Sequence, residues 1–414
     1  MSEQPREFDA VLGGNNPPPV TGVVLGGIEG VKLRLSNPVV EVKLAALSDA
    51  LKYGDKGLEL VIQALQQDKK IIQRHAYKLL RCRQEKQVKQ ALLEYQPWNL
   101  FERLQGYRGY KDLYVECFAN RQVVDYNREI GIENPVNTAY ALRSNYETSS
   151  ITEQLTHLLQ DSQASNLEAL VIGRWDVYHS DSSKIVNALV NSKNKLTNLK
   201  AIFLGDVVSG SCEISWIRQS DISPILRAYP QLELLQIRGG QGLKFNAPLI
   251  HNNLQALILE TAGLSRETVG QICRMKLPEL EHLELWFGSQ DNGGDFSVVD
   301  GKPILEDLIF PYLNYLGLRN SEFTDDIAEV VVKSPLIETI SVLDLSLGNL
   351  TDAGGEYLLN CPAVNELDIL NVSEARLSEE MISKLSSLNC QLLAEEQDTD
   401  PDYDDEYRYC AVCE

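Results

Sequence analysis

One spaced apolar pattern constrains this chain more than any other feature. An apolar residue, two free positions, a second apolar residue, one free position and a third apolar residue recur from Leu167 to Ile369. The sets are Leu167/Leu170/Ile172, Leu199/Ile202/Leu204, Leu232/Leu235/Ile237, Leu254/Leu257/Leu259, Leu280/Leu283/Leu285, Leu313/Leu316/Leu318, Ile340/Leu343/Leu345 and Val364/Leu367/Ile369. Such spacing marks leucine-rich repeats of roughly 20–29 residues. The step from Leu232 to Leu254 fits that length, and longer steps such as Leu199 to Leu232 imply loop insertions.

Helix signals stand between the strands. Ser182, Ser220 or Asp221, Ser265, Thr324, Thr351 and Ser378 precede apolar residues at helical spacing. A hydroxyl or carboxylate there satisfies free backbone N–H groups and complements the helix dipole. Pro230, Pro278, Pro311 and Pro362 each stand two residues before the next strand set. Proline cannot continue a helix and extends its predecessor. The expected fold is an α/β solenoid, a leucine-rich repeat arc with parallel strands inside and helices outside. An N-terminal all-α HEAT-like domain precedes it.

Ahead of the arc, Val11-Leu-Gly-Gly14 and Val24-Leu-Gly-Gly27 flank Pro17-Pro-Pro19. No P-loop motif follows these glycines, so they read as turns. Helical spacing then runs through Val42/Ala45/Ala46, Leu58/Val61/Ile62/Leu65, Ile71/Ile72/Ala76/Leu79/Leu80 and Val88/Ala91/Leu92. Ala45 and Ala76 hold matching places, where a small residue lets helices approach closely. Arg121–Tyr126 and Ala139–Arg143 read as strands, and Thr152–Gln160 as an amphipathic helix capping the array. The expected organisation is a Gly/Pro-rich leader (1–35), HEAT-like helical repeats (36–115), a capping segment (116–165), the leucine-rich domain (166–394) and an acidic tail (395–414).

Two resemblances attach to these residues. The doubled Leu-Gly-Gly segments and the paired helices resemble an N-terminal module of cyanobacterial multidomain proteins, and HEAT-like repeats of a related sort occur in phycobilin lyases. That resemblance implies phycobilisome-associated or bilin-lyase-related work as an alternative function. Phe203-Leu-Gly-Asp206, Glu213-Ile-Ser-Trp-Ile217, Ser220-Asp-Ile-Ser-Pro224, Ile237-Arg-Gly-Gly240 and Val342-Leu-Asp-Leu-Ser-Leu-Gly348 resemble an uncharacterised bacterial leucine-rich repeat family. So does the acidic Tyr/Arg tail. This second resemblance spans residues 118 to 414 and implies ribonuclease-inhibitor-like repeats without catalytic residues.

Composition narrows the partners. Across 414 residues the net charge is −21, which repels phosphate backbones and anionic lipid heads. Neither nucleic acid nor membrane is therefore an expected partner. No signal peptide is read at the start, and no apolar run reaches the roughly 18 residues of a spanning helix. A cytoplasmic location is expected. Eight cysteines scattered over this length do not make a disulfide scaffold.

Motifs for catalysis are not found: no His-Glu-x-x-His, no nucleophile elbow and no complete dinucleotide loop. The chain is not expected to be an enzyme, and no cofactor or small-molecule ligand is expected. Cys410-Ala-Val-Cys413 is the sharpest chemical motif. A Cys-x-x-Cys pair can supply half a zinc site or a redox couple. No second Cys/His pair completes the set, so Cys410 and Cys413 stay weak candidates for a metal or redox role.

Strand side chains alternate, so the letters between the apolar ones face the concave side. They are bland in the first two repeats, which suggests cover by the helical head. In the last repeat they are Glu366, Asp368 and Leu370. The middle repeats carry Arg238, His282, Glu284, Trp286, Tyr315, Arg319 and Asp344. Exposed Trp, Tyr and Arg dominate interface hot spots. Those seven residues are the expected partner-binding patch of a noncatalytic protein-interaction scaffold, with the helical head as a possible second surface.

Overall fold

The computed structural model describes residues 27–67, 69–80, 83, 85–95, 101–104, 114–144, 149–173, 175, 180–246, 248–398 and 410–412. The chain divides into two compact units, Met1–Pro97 and Trp98–Glu414.

The first unit holds helices α1 (Gly27–Leu35), α2 (Val40–Ala50), α3 (Gly54–Ala64), α4 (Lys70–Leu80) and α5 (Lys86–Glu94). Their core contains Val31, Ala46, Leu47, Ala50, Leu58, Val61, Ile72, Ala76, Leu80 and Val88. Two expectations need correction. Residues 27–35 were read as part of a leader of turns, yet they form α1 and bury Val31. Ala45 is exposed, and Ala46 takes the buried place on α2. Gly57 is required where α3 meets the end of α2, because a Cβ there would stand 1.8 Å from the Ala50 carbonyl oxygen.

The second unit is built on one sheet whose strands follow chain order. They are β1 (Cys117–Phe118), β2 (Arg121–Asp125), β3 (Thr138–Leu142), β4 (Ala169–Gly173), β5 (Ala201–Asp206), β6 (Leu234–Arg238), β7 (Ala256–Glu260), β8 (His282–Gly288), β9 (Tyr315–Ser321), β10 (Val342–Asp344), β11 (Ile369–Asn371) and β12 (Gln391–Leu393). Within this sheet β1 and β2 pair antiparallel; β2 to β12 are parallel throughout. Pairing in register sets Leu235 beside Leu257 and Leu283 beside Leu316. The sheet therefore begins three strands before the first repeat set and ends one strand after the last.

Helices α6 (Ile151–Leu158), α7 (Ser183–Asn191), α8 (Ser223–Ala228), α9 (Arg266–Cys273), α10 (Lys302–Leu305), α11 (Thr324–Val331), α12 (Asp352–Leu359) and α13 (Glu379–Leu385) connect the strands. The repeated apolar letters form one continuous core with them, from Leu142 and Leu170 through Leu235 and Leu283 to Leu370. Burying each such leucine contributes about 1.5–3 kcal/mol. Ser265, Thr351 and Ser378 cap helices as expected. Carboxylates beside the caps join neighbouring repeats. Asp325 accepts from Thr351, and Asp352 accepts from Ser378 in the same two-bond manner. Thr324 is not a cap; its hydroxyl donates to the Ser321 carbonyl.

The final repeat is shifted by three residues from the expected reading. Val364 lies in a 3-10 turn, Pro362–Glu366, and Leu367, Leu370 and Val372 are the letters in the core. The concave letters are Ile369 and Asn371, paired with Val342 and Asp344, whereas Leu370 joins Leu343. Val364 is apolar and buried, so it satisfied the pattern while belonging to the preceding turn.

Candidate functional site: a charged row on the concave face

Alternation holds on the concave side too, but that side is covered. Ala139, Ala141, Ala169, Val171, Ala201, Phe203, Leu234, Ala256 and Ile258 form a second apolar cluster there. The expected cover was the helical head. The described residues that pack on it are Val115, Phe118 and Ala119, from the same unit as the sheet. Phe118 and Phe203 bring their rings within 5.9 Å.

Farther along the sheet the concave positions become ionic. Arg238 lies near Asp206 at 3.9 Å and binds Glu260 at 2.7 Å. Arg319 binds Glu284 at 2.9 Å and stands 3.5 Å from Asp344. Arg103, from a short turn at Phe101–Leu104, completes the row. It reaches Glu260 and Glu284 at 2.6 Å each. Arg143 closes the other end with two bonds to Asp206. Positive and negative groups thus alternate from Arg143 to Asp344, and every one has a partner.

Local geometry places these groups. The β4–β5 register shifts beside Gly173, which pairs with Asp206. Gly205 takes φ +108°, and a Cβ there would lie 2.6 Å from the Arg238 carbonyl oxygen. A side chain at 205 would therefore push apart the strands that hold Asp206 and Arg238. Around Glu284, Trp286 donates its indole N–H at 2.7 Å, and the His282 ring nitrogen lies at 3.3 Å. His282 stacks on Tyr315 at 3.8 Å, and the Tyr315 hydroxyl donates to Asp344. The Arg319 guanidinium lies over Trp286.

Burial sets the protonation states. It opposes ionisation of Glu284, yet Arg103 and Arg319 hold that carboxyl well below its usual range. Glu260 is lowered too, where Arg238 and Arg103 overcome burial. At Asp206 burial outweighs Arg238 and Arg143, and the carboxyl is pushed up. Burial pushes the His282 imidazole down, despite Glu284 beside it. Burial, Asp344 and Glu284 push the Tyr315 hydroxyl well up, so it remains a neutral donor.

All seven expected residues do lie on the concave face, and Glu284, His282, Trp286, Tyr315, Arg319 and Asp344 form one contact network. Arg238 joins it through Glu260 and Arg103. The expectation of an exposed patch does not hold. Glu284 and Asp344 have no exposed surface, and Tyr315 and His282 are the most open at 7 %. Two separated stretches of the chain cover them. One carries Arg103. The other is residues 410–412.

There, Ala411 donates its N–H to the Leu347 carbonyl at 2.9 Å. Asn320 grips Val412 by both backbone groups, accepting from its N–H at 2.9 Å and donating to its carbonyl at 2.7 Å. The Val412 side chain packs with Ile214, Ala262, Trp286 and Leu347. Cys410 is buried. Cys413 lies outside the described residues. Among the described residues, no three His, Cys, Asp or Glu side chains gather as a metal site.

Sequence reasoning missed Arg103, Asn320 and Val412. A signal for Arg103 existed: Glu260, Glu284 and Asp344 outnumber Arg238 and Arg319 on the concave letters, so a further cation was needed. Val412 is an aliphatic residue following a strongly acidic stretch.

No family model matches this chain, and no curated protein does. Among solved structures, the chain is similar to a Bacteroides fragilis protein whose crystal structure came from a structural genomics programme. The match has 28% identity and a TM-score of 0.58, and covers 64% of this chain and 73% of that one. An internalin from Listeria monocytogenes matches at 15% identity and a TM-score of 0.35, over 63% and 61% of the two chains. The repeat pattern, the parallel sheet and the connecting helices define the second unit as an α/β solenoid of leucine-rich repeat type. Among the described residues no helix is long and apolar enough to cross a membrane.

Proposed function

We propose that the protein is a noncatalytic scaffold that binds a protein partner through the concave side of its leucine-rich repeats. One observation carries this reading: beside the concave Trp286, Asn320 and Leu347 hold another stretch of this chain by the backbone groups of Ala411 and Val412. Arg238, His282, Glu284, Trp286, Tyr315, Arg319 and Asp344 form the floor of that surface. Their partner-binding role requires the covering segments to yield or to share the contact. Trp216 stands at its rim, 53 % exposed, two residues from Ile214 in the Val412 cluster.

The helical unit is a candidate second surface. Its short consecutive helices, with Ala46 and Ala76 buried on α2 and α4, support HEAT-type packing. The thiols of Cys273, Cys361 and Cys390, which form no disulfide, support a reducing, cytoplasmic setting.

Photo-crosslinking tests the scaffold reading. A photoreactive residue replacing Trp216 should capture a specific protein from native-host extract. The same residue replacing Tyr357, on α12, should not. Capture only from position 357, or purification of a tightly held small molecule without a protein, would overturn it.

A further inference from the structure

We infer that Asn320, Leu347 and the apolar pocket beside them form a recognition site for a peptide segment bearing a branched aliphatic residue. The chain's own residues 410–412 occupy it. This deepens the reading of the concave side as a protein-binding surface and rests on it.

Three features set the site apart from ordinary packing. First, Asn320 uses both ends of its amide on one residue, which reads backbone and not side-chain identity. A primary amide offers an acceptor and donors in one plane, matching the N–H and C=O of a single residue. Second, the site is built from strained backbone. Asn320 sits at φ +50° and Leu347 at φ +67°. Asparagine tolerates the left-handed region; leucine is uncommon there, and such strain concentrates at binding sites. Asn320 donates its own N–H to Ser346, and Leu347 donates to Ser373, so neighbouring strands hold both residues in that conformation. Third, the pocket walls come from separate repeats and the insertion: Ile214, Ala262, Trp286 and Leu347. Trp286 is fixed by Glu284 beneath it and Arg319 over its ring. The pocket floor is therefore tied to the charged row.

The bound peptide contributes two backbone N–H groups, one carbonyl and one small aliphatic side chain. A partner segment with Val or Ile at the place of Val412 satisfies the same groups and competes with residues 410–412. Main-chain bonds supply affinity and the pocket supplies selection, as in other modes of peptide recognition.

The test uses the full chain carrying Ala411→Pro and Val412→Asp, which removes one donor and the apolar contact. A fluorescein-labelled peptide of residues 407–414, under reducing conditions, should bind this variant saturably by anisotropy. Adding Asn320→Ala should weaken binding about ten-fold or more, since two hydrogen bonds are lost. A peptide with Asp in place of Val412 should not bind. A second measurement needs no variant: excess peptide should speed deuterium exchange at the Ala411 and Val412 amides of the unaltered chain. A folded variant that ignores the peptide, or unchanged amide protection under excess peptide, would overturn the inference. Capture at position 216 would still decide the scaffold reading separately.

Discussion

From β3 to β5 the concave letters are Ala139, Ala141, Ala169, Val171, Ala201 and Phe203, with Phe118 packed on them. From β6 to β10 the same face carries Arg238, Glu260, Glu284, Arg319 and Asp344, with Arg103 set among them. Both stretches are buried, but different forces bury them. Apolar packing is non-directional and grows with area, so the first stretch fastens chain to sheet without fixing fine geometry. The second must offset the desolvation of charged groups, and succeeds only where donors and acceptors align. One stretch therefore supplies adhesion, and the other supplies selection.

The largest expected effect tests the adhesive half. Phe203→Ala should destabilise the second unit by about 4 kcal/mol, because a fully buried ring leaves a cavity. Denaturant unfolding measures it, and a loss under about 1 kcal/mol would show that the cover is loose.

The ionic half comes next. Glu284→Gln should cost about 3 kcal/mol, since Arg103 and Arg319 lose their shared counter-charge while buried. Its pH dependence has a fixed sign. Glu284 and Glu260 are lowered from the ordinary value of 4.5, so their stabilisation is present above that pH and is lost as pH falls through their folded values. Melts between neutral pH and pH 3 should fall less steeply for Glu284→Gln than for the unaltered chain. Equal slopes would mean that the row is not the acid-sensitive element.

The smallest effect is at the rim. Trp216→Ser should change stability by less than about 0.5 kcal/mol, as surface positions do. It should still weaken affinity for the captured partner in a direct binding titration, which separates the holding surface from the recognising one.

Much of the arc was legible because its periodicity is imposed by packing. Leu283 and Leu316 must meet the helices, so three-then-two spacing survives at every repeat and even assigns His282 and Trp286 to the opposite face. Legibility failed where two explanations fit one letter, as with Val364, buried by its turn and not by its strand. It failed again for contacts between distant segments. Arg103 and Glu284 are 181 residues apart in sequence, and no local pattern links them. Exposure was misjudged for the same reason: a repeat predicts its own faces, but not which other segment of the chain lies across them.

The shared partners of the charged row constrain how such a protein can change. Glu284 serves Arg103, Arg319 and Trp286 at once. Replacing one member strands its neighbours, so the cost of a second replacement depends on the first. A new preference on this face would therefore have to arise through paired exchanges, a charge altered on one strand and answered on the next. The apolar letters behind the sheet impose no such coupling of sign. Two adjacent residues on one strand can thus follow different mutational rules, one drifting alone and the other only in company.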